Sequence, residues 1–350
     1  MSESTRVAAI DCGTNSVRLL IADISGGELV ELERRMEIVR LGQGVDESGR
    51  LAPEALERTF SAMRGYAKLV TEHDAERVRV VATSATRDAA NRDEFVRGVV
   101  EIFGVEPEVI SGDEEARLSF TGATRDLAAL RPMRPYLVVD IGGGSTEFVF
   151  GTGDVEAARS VDIGCVRMTE RHLRSDPPSP DQLAAAVADI DAALAAVRTG
   201  ESTHAEAEAE VARAGEAALV EAGGLPLSPM PPPPPAPPSV PPVPIDRART
   251  LVGLAGSVTT VAGIALELPE YDSERIHLSR LKDRQVHDVT RMLLHSTHAE
   301  RAALGVMHPG RVDVIGAGAL ILDRIMREYG FADVVVSEHD ILDGIAWSVV

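Results

Sequence analysis

Cysteine is almost missing from this chain of 350 residues: only Cys12 and Cys165 occur. Two thiols cannot build a disulfide framework or, alone, a zinc site, which favours a reducing, cytoplasmic setting. Basic residues are scarce, with 35 Lys and Arg against 55 Asp and Glu, a net charge of −20. Nucleic-acid surfaces need basic stripes, so no nucleic-acid partner is expected. Any polyanionic ligand must instead be met by local backbone dipoles, a few arginines and metal ions. Long apolar runs are absent too. The longest uncharged stretch, Thr250 to Leu266, contains three glycines and four hydroxyl residues, short of the ~20 apolar residues of a membrane span. Met1 to Arg6 is polar and does not read as a signal peptide. No Gly-Lys-Ser/Thr P-loop occurs, and no Gly-x-Gly-x-x-Gly joins a strand to a helix, which argues against a dinucleotide-fold oxidoreductase. His295, His298 and His308 lack a cysteine partner or paired helical spacing, so solvated or capping roles are expected.

What is present is a repeated unit. Leu137-Val-Val-Asp-Ile-Gly-Gly-Gly-Ser-Thr-Glu-Phe-Val-Phe150 reads as strand, glycine turn, strand. Successive amides of such a turn can point into one concavity that suits a phosphate. Asp140 and Glu147 bracket it and could hold a hard cation such as Mg²⁺. A plain hairpin with Asp140 as a turn residue is the bland alternative. Val7-Ala-Ala-Ile-Asp11-Cys-Gly13-Thr-Asn-Ser16-Val-Arg-Leu-Leu-Ile21 repeats the template: apolar strand, Asp, any residue, Gly, two more, Ser, apolar strand. The copies lie about one domain length apart. Two similar α/β domains with a phosphate-binding cleft between them follow.

Along the chain, Val7 to Arg40 reads as three antiparallel strands, the third near Arg35 to Leu41. Pro53 opens a helix to about Val70, Val78 to Thr83 is a strand, and Asn91 to Phe103 a helix. A short strand at Glu108 to Ser111 precedes a helix from Asp113 to about Thr124, and the first domain spans 1–130. The second, 131–338, repeats the order with strands at Tyr136–Asp140, Thr146–Gly151 and Asp154–Asp162. A helix then starts at about Cys165, and Ser179-Pro-Asp-Gln182 is a capping box opening another. Residues 200–246 form an insert: an alanine-rich stretch with six glutamates, Glu201 to Gly224, then twelve prolines between Pro226 and Pro244. Such composition predicts a polyproline-II-like or disordered surface loop. Thr250-Leu-Val-Gly-Leu-Ala-Gly-Ser257 reads as a strand running into a Gly-Ser turn, then a helix. Later helices are expected at 285–294, 311–329 and 340–350, with a strand at 333–337.

Five stretches, in one order, identify a resemblance. They are Asp11-Cys-Gly-Thr-Asn-Ser-Val-Arg18, Ala82-Thr-Ser-Ala-Thr-Arg87, Ile110-Ser-Gly-Asp-Glu-Glu-Ala-Arg117, Val139-Asp-Ile-Gly-Gly-Gly-Ser-Thr-Glu147 and Gly253-Leu-Ala-Gly-Ser-Val-Thr-Thr260. The chain resembles the exopolyphosphatase / guanosine pentaphosphate phosphohydrolase (Ppx/GppA) family in its short form. The resemblance implies two ribonuclease-H-like domains, as in actin-like ATPases and sugar kinases, with the C-terminal helix, about 339–350, packed back on the first. It implies removal of terminal phosphate from polyphosphate by water with Mg²⁺, or another divalent cation such as Mn²⁺, and possible homodimerisation.

By that match Glu115 is the general base. Glu114 points about 100° away on the helix, so both cannot serve; without the match, a solvated helix start would explain the pair. Asp140 and Glu147, with Asp11 close by, hold the metal. Gly13, Thr14, Asn15 and Ser16, with Gly142, Gly143, Gly144, Ser145 and Thr146, cradle phosphates. Arg87 meets a substrate phosphate, its alternative being a surface ion pair, and Gly256 and Ser257 line the polyphosphate path. The family's Gly-Leu-Arg-Glu-Gly run is Asp340-Ile-Leu-Asp-Gly344 here, without the arginine. The long-form accessory domain is missing, so short chains are the expected preference. Guanosine pentaphosphate is the rival substrate; a kinase-like phosphotransferase and an actin-like nucleotide binder are further alternatives.

Overall fold

The computed structural model describes residues 4–125, 127, 130, 132–201 and 241–350. Most of the alanine- and proline-rich insert lies outside the described residues.

Two sheets share one construction. In the first, β1 (Thr5–Cys12), β2 (Ser16–Ser25) and β3 (Glu28–Ile38) form an antiparallel meander. β4 (Arg77–Ala82) joins β1 in parallel and β5 (Glu108–Val109) joins β4, giving the order β3-β2-β1-β4-β5. Between them run α1 (Val45–Ser48), α2 (Pro53–Glu72), α3 (Ser84–Asp88) and α4 (Arg92–Phe103). In the second sheet β6 (Tyr136–Ile141), β7 (Thr146–Gly151) and β8 (Val155–Val161) repeat the meander. β9 (Thr250–Leu254) lies parallel to β6 and β11 (Asp333–Val336) parallel to β9, with β10 (Arg280–Lys282) an added antiparallel edge. The helices of this half are α6 (Cys165–His172), α7 (Pro180–Thr199), α8 (Ala255–Ala265), α9 (Ser273–Ile276), α10 (Asp283–His295), α11 (His298–Ala302) and α12 (Ile315–Tyr329). The architecture is mixed α/β with two domains.

The central strands read as unbroken apolar runs because both faces are covered; every residue of β6 and β7 is buried. β3 behaves differently. It starts at Glu28, well before Arg35, and none of its residues is buried. An edge strand with solvent on its faces needs no apolar alternation, so its acidic first half hid it. The insert also rejoins the fold before Thr250. Val243 and Ile245 sit in the second core, and the Val243 amide donates to the Val197 carbonyl at 3.0 Å.

α5 (Gly112–Thr124) lies between the sheets. Ala116, Phe120 and Ala123 pack on β6, β7 and β9, whereas Leu118 faces the cluster containing Val7, Ala9 and Leu20. The last helix, α13 (Ile341–Trp347), packs on α5, β1 and β2. It buries Ile341, Leu342 and Ile345, each such side chain contributing about 1.5–3 kcal/mol. The two helices touch backbone to backbone: a Cβ on Gly122 would lie 1.8 Å from the Asp340 carbonyl oxygen, and one on Gly344 2.0 Å from that of Leu118. This close crossing fixes α5, and with it Glu115 in its first turn.

Candidate active site

The two glycine turns close alike. Gly13 N–H donates to the Ser16 carbonyl at 3.0 Å, and Gly142 N–H to the Ser145 carbonyl at 3.0 Å. Each turn is braced from behind through its carbonyls. Val39 and Arg40 N–H donate to Asn15, and Gly42 N–H donates to Thr14. In the second turn Cys165 N–H donates to Gly142, and the Val166 and Arg167 amides donate to Gly143. With the carbonyls engaged there, the amides of Thr14, Asn15, Gly143 and Gly144 meet no backbone acceptor among the described residues. Such paired nests suit anions. The turns abut: a Cβ on Gly143 would come within 2.8 Å of Thr14 Cβ.

One cleft is lined by Asp11, Gly13, Thr14, Asn15, Ser16, Glu115, Asp140, Gly142, Gly143, Ser145, Gly256 and Ser257. Four residues named from the sequence stand behind this lining. Gly144 packs on Ser84 and Thr14. Thr146 donates its hydroxyl to the Ile163 carbonyl. Glu147 accepts from Ser145 and Ser160, both at 2.7 Å. Arg87 reaches Glu115 rather than open cleft, with Nη1 3.2 Å from Oε2. Gly256 and Ser257 belong to the first turn of α8 rather than to a turn before it, because Ala255 makes the reversal at φ +67°.

The duplicated register carries opposite charges. Asp11 faces Arg18 across β1 and β2, whereas Asp140 faces Glu147 across β6 and β7. Arg18 donates to Asp11 Oδ2 through Nη2 at 2.6 Å, and also to Asp340, the cap of α13. The first hairpin is thus neutralised internally. Like charges opposite one another destabilise the second. Burial first, then Glu147 and Asp340, push Asp140 up to about 7, although Ser119 donates to it at 2.6 Å. Glu115, 8% exposed, is raised well above the usual carboxylate range by burial and then Glu147, with Arg87 opposing. Glu147 is raised by burial, against its two serine donors.

Among the described residues no three His, Cys, Asp or Glu side chains converge to cage a metal ion. Mg²⁺ needs no such cage, since it keeps several waters and takes one or two carboxylates plus substrate phosphates. The donor set fits it. Asp11 Oδ1 is buried without a hydrogen-bond partner, and burial followed by carboxylate–carboxylate repulsion raises Asp140 and Glu115, a cost that a bound cation would relieve.

The sequence reading missed Arg18, although it stands inside a quoted motif and its register opposite Asp11 follows from the hairpin. It also missed Arg311, which has no local signal. Arg311 comes from the loop before α12 and enters the cleft against Gly256, where an added Cβ would lie 2.3 Å from Nη2. It bonds Thr260 Oγ1 at 3.2 Å and Met36 Sδ at 3.3 Å, and pairs with no carboxylate among the described residues.

Comparison with known proteins decides the relationship. The profile of the Ppx/GppA phosphatase family matches residues 20–217. This chain belongs to the Ppx/GppA phosphatase family. It is 45% identical over 359 aligned residues to the Mycobacterium tuberculosis protein named Exopolyphosphatase 2, covering 99% of this chain and 98% of that one. It is 31% identical to a Fusobacterium nucleatum bifunctional 3-dehydroquinate synthase/phosphatase, covering 96% of this chain and 45% of that protein. A crystal structure of an exopolyphosphatase-like protein superposes with a TM-score of 0.84 at 40% identity, covering 99% and 98% of the two chains. The Aquifex aeolicus Ppx/GppA enzyme gives 0.72 at 30%, covering 99% and 100%. This Ppx/GppA phosphatase is therefore a hydrolase with the two-domain actin-like ATPase fold. Among the described residues no helix is long and apolar enough to cross a membrane.

Proposed function

We propose that this phosphatase is an exopolyphosphatase, releasing terminal orthophosphate from inorganic polyphosphate by attack of water that Glu115 deprotonates. The observation that carries the reading is one cleft joining two nests of free amides to a buried carboxylate on a helix start. Full-length similarity to a protein named Exopolyphosphatase 2 supports it.

Phosphoanhydride hydrolysis asks mainly for positioning and for charge neutralisation. The Thr14, Asn15 and Gly143 amides bind phosphoryl oxygens, Ser16 and Ser145 flank them, and Arg311, Gly256 and Ser257 line the path of the following phosphates. Arg87 occupies Glu115 Oε2 and leaves Oε1 to take the proton from water. Asp140 and Glu147, with Asp11, hold a divalent cation, Mg²⁺ or Mn²⁺, which when bound neutralises charge on the reacting phosphoryl group. In this reading 1–130 and 131–338 are the two domains, 339–350 returns to the first, and the enzyme works in the cytoplasm. A surface of net charge −20 holds little of a long polyanion outside the cleft, so short chains are preferred.

A second reading, guanosine pentaphosphate phosphohydrolase, is favoured by one observation. Beyond Arg311 the cleft opens into a chamber of about 440 Å³ walled by Met36, Tyr271, Val306, Met307 and Pro309 and edged by Arg34, Arg35 and Glu338, room for a nucleoside with polar groups at its rim. Phosphate release with Mg²⁺ from short polyphosphate, long polyphosphate and guanosine pentaphosphate, run in parallel, separates the two. Release from polyphosphate that Glu115→Gln abolishes supports the first reading. Release from the nucleotide alone replaces it with the second.

A further inference from the structure

Arg167, on α6, is 8% exposed and grips three aspartates. Its Nη1 lies 2.5 Å from Asp162 Oδ1, its Nη2 2.7 Å from Asp88 Oδ2, and its Nε 3.2 Å from Asp46 Oδ1. Asp162 follows β8 in the second half of the molecule. Asp88 ends α3, and Asp46 lies in α1, both in the first half. The backbone of the same residue donates to the Gly143 carbonyl at 3.1 Å, bracing the second glycine turn.

Asp88 is the chain neighbour of Arg87. Arg87 Nη1 is 3.2 Å from Glu115 Oε2 and 3.1 Å from the Ile110 carbonyl, while its Nε stands 3.9 Å from Asp88 Oδ1. Two carboxylates therefore compete for one guanidinium. Asp88 does not win, because Arg167 satisfies it from the other half of the molecule.

We infer that Arg167 is a positioning residue for the reaction: by holding Asp88, it keeps Arg87 on Glu115. The three aspartates differ in what its loss would leave them. Asp46 retains Arg171, whose Nε is 2.7 Å away. Asp162 retains no ion pair among the described residues but has no second arginine to draw away, whereas Asp88 retains Arg87. Asp88 is exposed, its side chain keeping 26% of its surface, and with Arg167 gone the cation nearest its carboxylate is Arg87, so that attraction draws the two charges together. Glu115 then loses the donor that fixes its orientation, although every group that touches substrate is unchanged. The inference rests on the reading of Glu115 as the base.

The test compares kcat and KM for polyphosphate in wild type, Arg167→Gln, Arg167→Lys, and Arg167→Gln combined with Asp88→Asn. Misplacement of the base by about an ångström costs about 10²-fold. The expected result is a kcat loss of that size in Arg167→Gln with a smaller change in KM. Arg167→Lys, which still offers Asp88 a cation, loses less. The double variant recovers most of kcat, because the neutral amide introduced by Asp88→Asn no longer competes for Arg87. A clamp that only holds the halves together predicts the opposite, a double variant no better than the single one, and that result overturns the inference. A crystal structure of Arg167→Gln tests it without substrate: Arg87 turned onto Asp88 supports it, and Arg87 still on Glu115 overturns it. Failure of the wild type on polyphosphate would instead remove the proposed function, and the same kinetic comparison would then use guanosine pentaphosphate.

Discussion

Replacing Asp140 by Asn should stabilise the metal-free protein at alkaline pH while destroying its activity. Asp140 is buried opposite Glu147 and pushed up to about 7 from an ordinary 3.8. A carboxyl whose folded value lies above its unfolded value contributes stability below about pH 4. That contribution is lost as the pH rises through 7. At about 1.4 kcal/mol per tenfold change in proton affinity, the gap amounts to about 4 kcal/mol. Asp140 borders an open cleft, so solvent trims the effect to about 2–4 kcal/mol. Asn keeps the shape and can still accept the Ser119 hydroxyl, which donates to Oδ2 at 2.6 Å. Urea unfolding in EDTA should show the variant ahead of wild type by that margin at pH 8, and by less than half of it at pH 5. Adding Mg²⁺ should close the gap at pH 8, because binding to the folded wild type stabilises it. A variant no more stable than wild type at pH 8 without metal would refute the reasoning. So would a difference that stays constant from pH 5 to 8.

Gly122→Ala should force α5 and α13 apart, since the new Cβ would sit 1.8 Å from the Asp340 carbonyl oxygen; thermal unfolding should drop by several kcal/mol equivalent, and kcat should fall with it. Arg311→Ala removes a guanidinium from the cleft that is not committed to any described carboxylate. Steady-state kinetics should show KM for polyphosphate rising roughly tenfold or more, the worth of a charge-assisted contact, while circular dichroism stays unchanged. Ala255→Gly relieves a left-handed residue at φ +67° and should raise stability by about 1 kcal/mol in urea melts.

The repeated template Asp-x-Gly-x-x-Ser announced both hairpins and their common closure, because a tight turn between buried strands leaves a strong local signal. The shared strand order follows from the same duplication. β3 was harder to bound, since an edge strand exposed on its faces carries Glu and Arg where a central strand carries Val and Ile. Val243 and Ile245 were hidden by composition: two buried residues next to a proline run do not register in any window. Charge pairing was legible only within a hairpin. Arg18 sits opposite Asp11 by register. By contrast Arg311 packs on Gly256, and Arg167 bridges to Asp46 and Asp88, through contacts between distant segments that no spacing encodes. Side-chain direction was equally invisible beyond the helix. Glu115 lines the cleft while Glu114 faces Arg79 and Arg117, a choice fixed by the crossing of α5 with α13.

The most direct measurement is a single turnover of polyphosphate with Mg²⁺ in ¹⁸O-labelled water, with mass analysis of the released orthophosphate in wild type and Glu115→Gln. Attack by water held at Glu115 predicts one labelled oxygen in each orthophosphate from the wild type, and release slowed by about 10²–10⁴-fold in the variant. Unlabelled orthophosphate, label left on the shortened polymer, or undiminished release from Glu115→Gln would contradict it.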